Sequence, residues 1–308
     1  MADSKNTTHS NGLLPWEKIK SPSEDPTAAE RVRAIQAHPN YREADQDTDF
    51  LHLAENRDVR LQLDYAKTEM VLKQHGIQHT IVVFGSTRLS EPLAAQTAVE
   101  QAQAALNAAP QNPELKKKLD IAHRLLDKAK YYTIAREFGR LIGNSGPCPE
   151  DCRVTLMTGG GPGAMEAANR GAFDVGARSI GLNITLPHEQ YPNPYITPEL
   201  SFRFHYFAMR KLHFMLRARA LVAFPGGYGT FDELFETLTL IQTHKMPTVP
   251  IVLVGEEYWK RAINFEYLID EGVITQHDRN LFWYAETAQQ IWDSILHWHE
   301  ANGTPLYG

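Results

Sequence analysis

Ala220-Leu-Val-Ala-Phe224, running into Pro225-Gly226-Gly227-Tyr228-Gly229-Thr230-Phe231-Asp232-Glu233, is the stretch that decides the fold. The apolar run has the length and composition of a buried strand. From Leu234 and Phe235 through Leu238 to Ile241 the apolar residues return at helical spacing. A glycine-rich turn from strand to helix turns backbone N–H groups toward an anion at the positive end of the helix. This turn ends in a hydroxyl and two carboxyl groups. It can hold a phosphate and set an acid beside it, which points to nucleotide chemistry.

Working outward, Thr80-Ile-Val-Val-Phe84 is a β-branched run followed by Gly85-Ser86-Thr87-Arg88 and reads as the first core strand. Val154-Thr-Leu-Met157, Ser179-Ile-Gly-Leu-Asn-Ile184 and Val249-Pro-Ile-Val-Leu-Val254 are further strands. Helical patterns lie between most of them, so the fold class is α/β, a Rossmann-like doubly wound parallel sheet. Residues 1–76 form a polar arm and a helical extension in which Pro39 is a break and Val59–Leu72 has helical spacing. The core spans 77–300, with a helical insertion at about 91–130 after the first strand and a tail at 301–308. Within the insertion Pro110 and Pro113 interrupt the pattern, helix resumes from Glu114 to Ile142, and Lys116-Lys117-Lys118 reads as a solvated face. Near the C-terminus Ile291, Ile295 and Trp298 fit one helical stripe, so the tryptophans there read as core.

The 308 residues are 43% hydrophobic with a formal net charge of -6, a globular composition without the basic balance of a general nucleic-acid binder. Cys148 and Cys152 are too few for a structural zinc site and read as free loop thiols. The first residues lack an apolar signal core, and no apolar stretch reaches the ~18 residues of a membrane span. These features lead to the expectation of a cytoplasmic protein.

A second glycine turn, Gly159-Gly160-Gly161-Pro162-Gly163, follows the Val154 strand and opens a helix at Ala164-Met165-Glu166. It fits G-x-G-x-x-A, yet the acid that a dinucleotide's ribose requires about 20 residues on is replaced by Gly181-Leu182-Asn183, so NAD is disfavoured. No P-loop sequence occurs. Each glycine turn alone reads equally well as a tight turn. Three of them after strands converge on one crevice in an open α/β sheet.

Glu233 has a plain structural reading. Thr230-Phe-Asp-Glu233 is a capping box, with Thr230 as N-cap and Glu233 bonding back to its amide. On the helix around Met209, the side chains of Tyr206, Arg210, His213 and Arg217 share one face. That stripe is either solvated or turned toward the anion crevice. Lys211 falls on a more apolar side, where its long stem suits packing.

Together, Gly159–Asn169, the Arg210-Lys211 pair and Pro225–Glu233 resemble the LOG ("Lonely guy") family of cytokinin riboside 5′-monophosphate phosphoribohydrolases, long labelled lysine decarboxylases. The spacing from Arg210 to Glu233 matches the family's R-K and P-G-G-x-G-T-x-x-E pattern. Phe84–Arg88, Leu186-Pro-His-Glu-Gln190 and Leu238-Thr-Leu-Ile-Gln242 are similar to its longer bacterial branch, and the resemblance covers about 80–284. Asp232 stands where the family commonly has Glu. The resemblance implies cleavage of the N-glycosidic bond of AMP or a cytokinin riboside monophosphate, giving free base and ribose 5-phosphate. Catalysis falls to Glu233 and Arg210, and phosphate binding to Gly226, Gly227, Gly229 and Thr230. Gly85, Ser86, Gly160, Gly161, Gly163, Met165, Glu166 and Lys211 contact the nucleotide or its ribose. It implies no cofactor and no metal, and a homodimer or higher homo-oligomer acting on a nucleoside monophosphate. The competing reading is a non-enzymatic nucleotide or molybdenum-cofactor carrier. A true lysine decarboxylase needs a pyridoxal-phosphate lysine, for which Lys211 is the only motif candidate.

Overall fold

The computed structural model describes residues 17–146, 154–187, 191–304 and 306. Cys148, Cys152, residues 1–16 of the polar arm and the end of the Leu186–Gln190 motif lie outside them. The chain divides into two compact units, Met1–Arg60 and Leu61–Gly308. In the first, the helices Ala28–Ala37 and Thr48–Leu51 occur, the latter capped by Asp47, which accepts from the Phe50 amide. The division falls inside the helix Arg57–Gln74, earlier than position 76. The reason is burial: Thr68 and Leu72 of that helix are core residues of the second unit.

The second unit is built on seven parallel strands: β1 Thr80–Phe84, β2 Thr155–Thr158, β3 Ser179–Ile184, β4 Ser201–Phe204, β5 Ala218–Ala223, β6 Ile251–Val254 and β7 Phe282–Ala285. Their order across the sheet is β4-β3-β2-β1-β5-β6-β7, and every pairing is parallel. The five strands expected from apolar runs all form. The flanking β4 and β7 were not expected. In β4 the exposed Ser201 and Arg203 alternate with buried Phe202 and Phe204, as at a sheet edge. In β7 four residues, three of them aromatic, give too short a signal to separate from the neighbouring helix.

Alternation along β1 divides the core. Ile81 and Val83 face one layer, where the helices Lys130–Gly143, Ala164–Asp174 and Ala288–Ala301 pack. Val82 and Phe84 face the other, where Leu72, Phe214, Leu234 and Trp259 arrive from four helices. Helices on both faces of an all-parallel sheet make the doubly wound architecture. In the C-terminal helix Ile291, Trp292, Ile295 and His299 are buried, while Trp298 is only half-buried. The terminal stretch is not wholly free, because Leu306 is buried in the first layer.

The expected helical stretch from Glu114 to Ile142 is two helices, Pro113–Asp127 and Lys130–Gly143, broken at Lys128–Ala129. Lys116, Lys117 and Lys118 are exposed, as expected of a solvated face. The sheet order reverses direction at β1: β2 lies on one side and β5 on the other. The carboxyl ends of β1 and β5 therefore open the crevice in which ligands of this architecture bind.

Candidate active site

The crevice is a cavity of about 550 Å³, within the range of roughly 300–1,000 Å³ usual for small-molecule sites. Its walls come from the three predicted turns, the helix of Arg210, the helices after the first strand and the segment after β6. The β1 turn supplies Gly85, Ser86 and Arg88. The β5 turn supplies Gly226 through Thr230, with Asp232 and Glu233. Arg210 and Phe207 enter from the helix Phe207–Leu216, and Met165 from the start of the Ala164 helix.

The β5 turn has a geometry suited to an anion. The helix begins at Tyr228 with Gly227 as N-cap, and no side chain caps it. Its first amides have no preceding turn to bond to, and Tyr228 is 96% exposed, so its ring leaves the backbone open. The Thr230 amide bonds to the Gly227 carbonyl. Thr230 is therefore inside the helix and is not its cap. The capping-box expectation fails for this reason, and with it the plain explanation of Glu233.

Glu233 is only 4% exposed, and its Oε2 has no hydrogen-bond partner among the described residues. Burial pushes its pKa up to about 7, against the opposing pull of Lys211 and Arg210. An unpaired buried carboxyl is costly, and such groups concentrate where chemistry needs them. Arg210 sits beside it in charge terms: burial lowers its pKa and Glu233 raises it. Its Nε donates to the Leu182 carbonyl at 2.7 Å, and its guanidinium lies 5.1 Å from the Phe214 ring centroid. Gly159 is what admits it. A Cβ there would lie 2.4 Å from Arg210 Nη2 and 2.9 Å from the Met165 sulfur.

The shared face of Tyr206, Arg210, His213 and Arg217 does not turn to the crevice as a unit. Only Arg210 lines the cavity. His213 is buried, stacked on Tyr65, with Nε2 at 3.2 Å from the Tyr65 carbonyl. Arg217 donates to both oxygens of Glu69 at 2.8 and 2.9 Å, and this contact, the largest of several causes, holds the Glu69 pKa down at about 2. Asp64 accepts from the amides of His205 and Tyr206 at the start of the same helix. Residues 61–74 thus grip the arginine-bearing helix at both ends, a role that helical spacing alone did not reveal.

The second glycine turn is mostly packing. Gly160, Gly161, Gly163 and Glu166 do not line the cavity; Met165 does. Asn193 takes the Gly160 carbonyl with its amide at 2.9 Å and the Gly161 carbonyl with its side chain at 3.2 Å. Gly163 has φ +77°, and a Cβ there would lie 2.1 Å from the Ser86 carbonyl. Glu166 accepts from Tyr132 at 2.9 Å. Ser86 links the two turns: its amide donates to Pro225 and its carbonyl accepts from Ala164.

Lys211 is also outside the cavity. Its ammonium pairs with Asp232 at 2.8 Å and Glu236 at 3.0 Å, and its side chain is 18% exposed. Burial acts to lower its pKa, but the two carboxylates outweigh it and the pKa is raised. The residues not foreseen are Leu125 and Lys128 from the helical insertion and Tyr258 after β6. They stand far from the motifs in sequence, and no local pattern marks them. Among the described residues no cluster of three metal-ligating side chains occurs, and no helix is long and apolar enough to cross a membrane.

Residues 165–295 match the protein family described as "Possible lysine decarboxylase". A rice protein (Oryza sativa subsp. japonica), "Probable cytokinin riboside 5'-monophosphate phosphoribohydrolase LOGL3", is 28% identical over 153 residues, 46% of this chain and 68% of that one. The rice "Cytokinin riboside 5'-monophosphate phosphoribohydrolase LOG" is 29% identical over 170 residues, 53% of this chain and 65% of that one. The "Pyrimidine/purine nucleotide 5'-monophosphate nucleosidase" of Escherichia coli (strain K12) is 29% identical over 159 residues, 46% of this chain and 31% of that one. The resemblance to LOG proteins read from the motifs is borne out. A decarboxylase of that description needs a pyridoxal-phosphate Schiff-base lysine in the protein, and Lys211, the only motif lysine, does not suit one. A Schiff-base lysine needs a depressed pKa and access to its carbonyl partner, and Lys211 is charged, ion-paired and outside the cavity.

Proposed function

We propose that this protein is a nucleoside 5′-monophosphate phosphoribohydrolase, releasing free base and ribose 5-phosphate from AMP or a cytokinin riboside monophosphate. The observation that carries the reading is Glu233: a buried carboxyl with an unpaired oxygen, on the wall of a cavity whose adjoining wall is an open helix N-terminus. The names of the rice and E. coli relatives support the reaction class, and their difference leaves the base open.

In this mechanism the amides at Gly227–Gly229 and the Thr230 hydroxyl receive the 5′-phosphate. That places C1′ toward Glu233 and the base toward Arg210. The C1′–N bond breaks with its electron pair leaving on the base, and the ribosyl cation that develops is stabilised by the Glu233 carboxylate. A water oxygen then bonds to C1′. Glu233 accepts one of its protons, which ends on the departed base nitrogen, while the other remains in the new hydroxyl. A pKa of about 7 suits that exchange. Arg210 acts by its positive charge, since a guanidinium keeps its proton. A cytoplasmic homo-oligomer belongs to the same proposal, and sedimentation of the purified protein checks the assembly.

The test is incubation with AMP and N6-isopentenyl-AMP, with the base and ribose 5-phosphate separated by chromatography. Turnover is expected with at least one of them, and Glu233→Gln should lower it on the order of a thousandfold. If no nucleoside monophosphate in a wider purine and pyrimidine panel yields free base, while nucleotide still binds in a calorimeter, the carrier reading replaces this one.

A further inference from the structure

The cradle of the β5 turn contains only neutral donors. A phosphate monoester brings close to two negative charges at neutral pH, and the carboxyl of Glu233 stands near. One cation that lines the cavity comes from the helical insertion. Lys128 is the C-cap of the helix Pro113–Asp127 and lines the cavity with Leu125. Its Nζ lies 5.7 Å from the centroid of the Tyr258 ring, and the Tyr258 hydroxyl donates to the Gly226 carbonyl. One tyrosine ring therefore connects the lysine to the first glycine of the cradle.

The other basic groups near the site are differently engaged. Lys211 is held by Asp232 and Glu236 and lies outside the cavity. Arg210 is half-buried and fixed to the Leu182 carbonyl. Arg88 is exposed on the β1 turn. Lys128 has no carboxylate partner among the described residues, is half-buried, and rests on an aromatic face that fixes its direction.

We infer that Lys128, presented by the helical insertion and aimed by Tyr258, is the phosphate-charge residue of the site and makes it selective for the 5′-monophosphate over the bare nucleoside. The insertion is then part of the active site. This rests on the reading above that the β5 turn holds a phosphate. A bare nucleoside gains nothing from the lysine, whereas a dianion gains a charge-assisted contact of the strong kind.

The experiment compares wild type, Lys128→Ala, Lys128→Arg and Arg88→Ala. Steady-state kinetics are measured on AMP and adenosine, and inorganic phosphate is titrated by calorimetry, which needs no turnover. Lys128→Ala should raise KM for AMP and Kd for inorganic phosphate about tenfold or more, with kcat within about twofold. Lys128→Arg should recover most of that loss, and adenosine cleavage, however slow, should not change. Melting temperatures separate a lost cap from a lost ligand contact. Unchanged KM and phosphate affinity in Lys128→Ala overturn the inference alone, as does a loss confined to Arg88→Ala or wild-type protein that binds no phosphate. If the wild type cleaves no nucleoside monophosphate of the wider panel, the proposed function fails, and the phosphate titration still decides the role of Lys128.

Discussion

The two glycine-rich turns of this protein, Pro225–Glu233 after β5 and Gly159–Glu166 after β2, look alike in sequence and do opposite work. Each leaves a strand, uses glycines where side chains cannot fit, and opens a helix with an acid in its early turns. In the β5 turn Gly227 and Gly229 have nothing within 4 Å of where a Cβ would stand, and both line the cavity at a helix start that no side chain caps. In the β2 turn the glycine carbonyls are occupied by Asn193, and Gly163 lies against the backbone of Ser86. One turn is open for a ligand. The other is closed on its neighbours and makes room for Arg210. Glycine supplies close approach in both cases, and position in the sheet decides what approaches: the β5 turn borders the reversal point, and the β2 turn lies one strand away.

Substitution can break that contrast. Gly163→Ala places a Cβ at positive φ into the Ser86 carbonyl, which is backbone and has no room to yield. It should cost about 4 kcal/mol or more and yield little folded protein in a denaturant melt. Folded Gly163→Ala with ordinary stability means the turn is looser than the contrast requires.

The next effect concerns Glu233 and pH. Its pKa is about 7 in the fold against 4.5 for a free side chain, so folding opposes its ionisation. Stability should therefore fall as pH rises between about 4.5 and 7, and the cost of the buried charge is complete above that window. That cost is at most about 3 kcal/mol. Glu233→Gln should raise the melting temperature relative to wild type at pH 8, with the gain vanishing by pH 4.5. Under the proposed mechanism, in which the carboxylate is the active form, the kcat of wild type should rise with pH with a midpoint near 7. A stabilisation that does not change with pH removes the charge from the explanation.

The smallest expected effect sharpens the comparison from the open side. Gly229→Ala meets nothing in the folded protein. Its stability should stay within about 1 kcal/mol of wild type, while under the proposed function the methyl group added on the cavity wall should raise KM for the monophosphate. A large loss of stability instead makes the β5 turn a packing joint like its counterpart.

The legible part of this fold was local. Thr80–Phe84 and Ser179–Ile184 match their strands to the residue, because a buried parallel strand is a short apolar run with glycine or polar residues at its ends. The motif residues that line the cavity, Gly85, Ser86, Met165, Arg210, Thr230 and Glu233 among them, were legible as members of glycine turns and of the R-K pattern. Lys211, Gly160, Gly161, Gly163 and Glu166 belong to the same motifs and do not line the cavity. Motif membership reports that a residue is needed near the site, and it does not distinguish contact from bracing. Arg217 and His213 show the same limit. Their shared helical face was correct geometry, but its partner was the helix of Asp64 and Glu69, over a hundred residues earlier.

By itself the sequence determined the alternation of strand and helix, the turns that allow close backbone approach, and the presence of a hydroxyl and carboxyls at the end of one of them. These follow from period, chain stiffness and residue chemistry, all of which act over a few neighbouring positions. Tertiary structure alone decided which glycine turn is open, that Thr230 is no cap, and that Glu233 is buried without a partner for one oxygen. It also decided that a lysine from the inserted helices stands over Tyr258. Burial and pairing depend on what other segments bring alongside, and the sheet order β4-β3-β2-β1-β5-β6-β7 is what brings them.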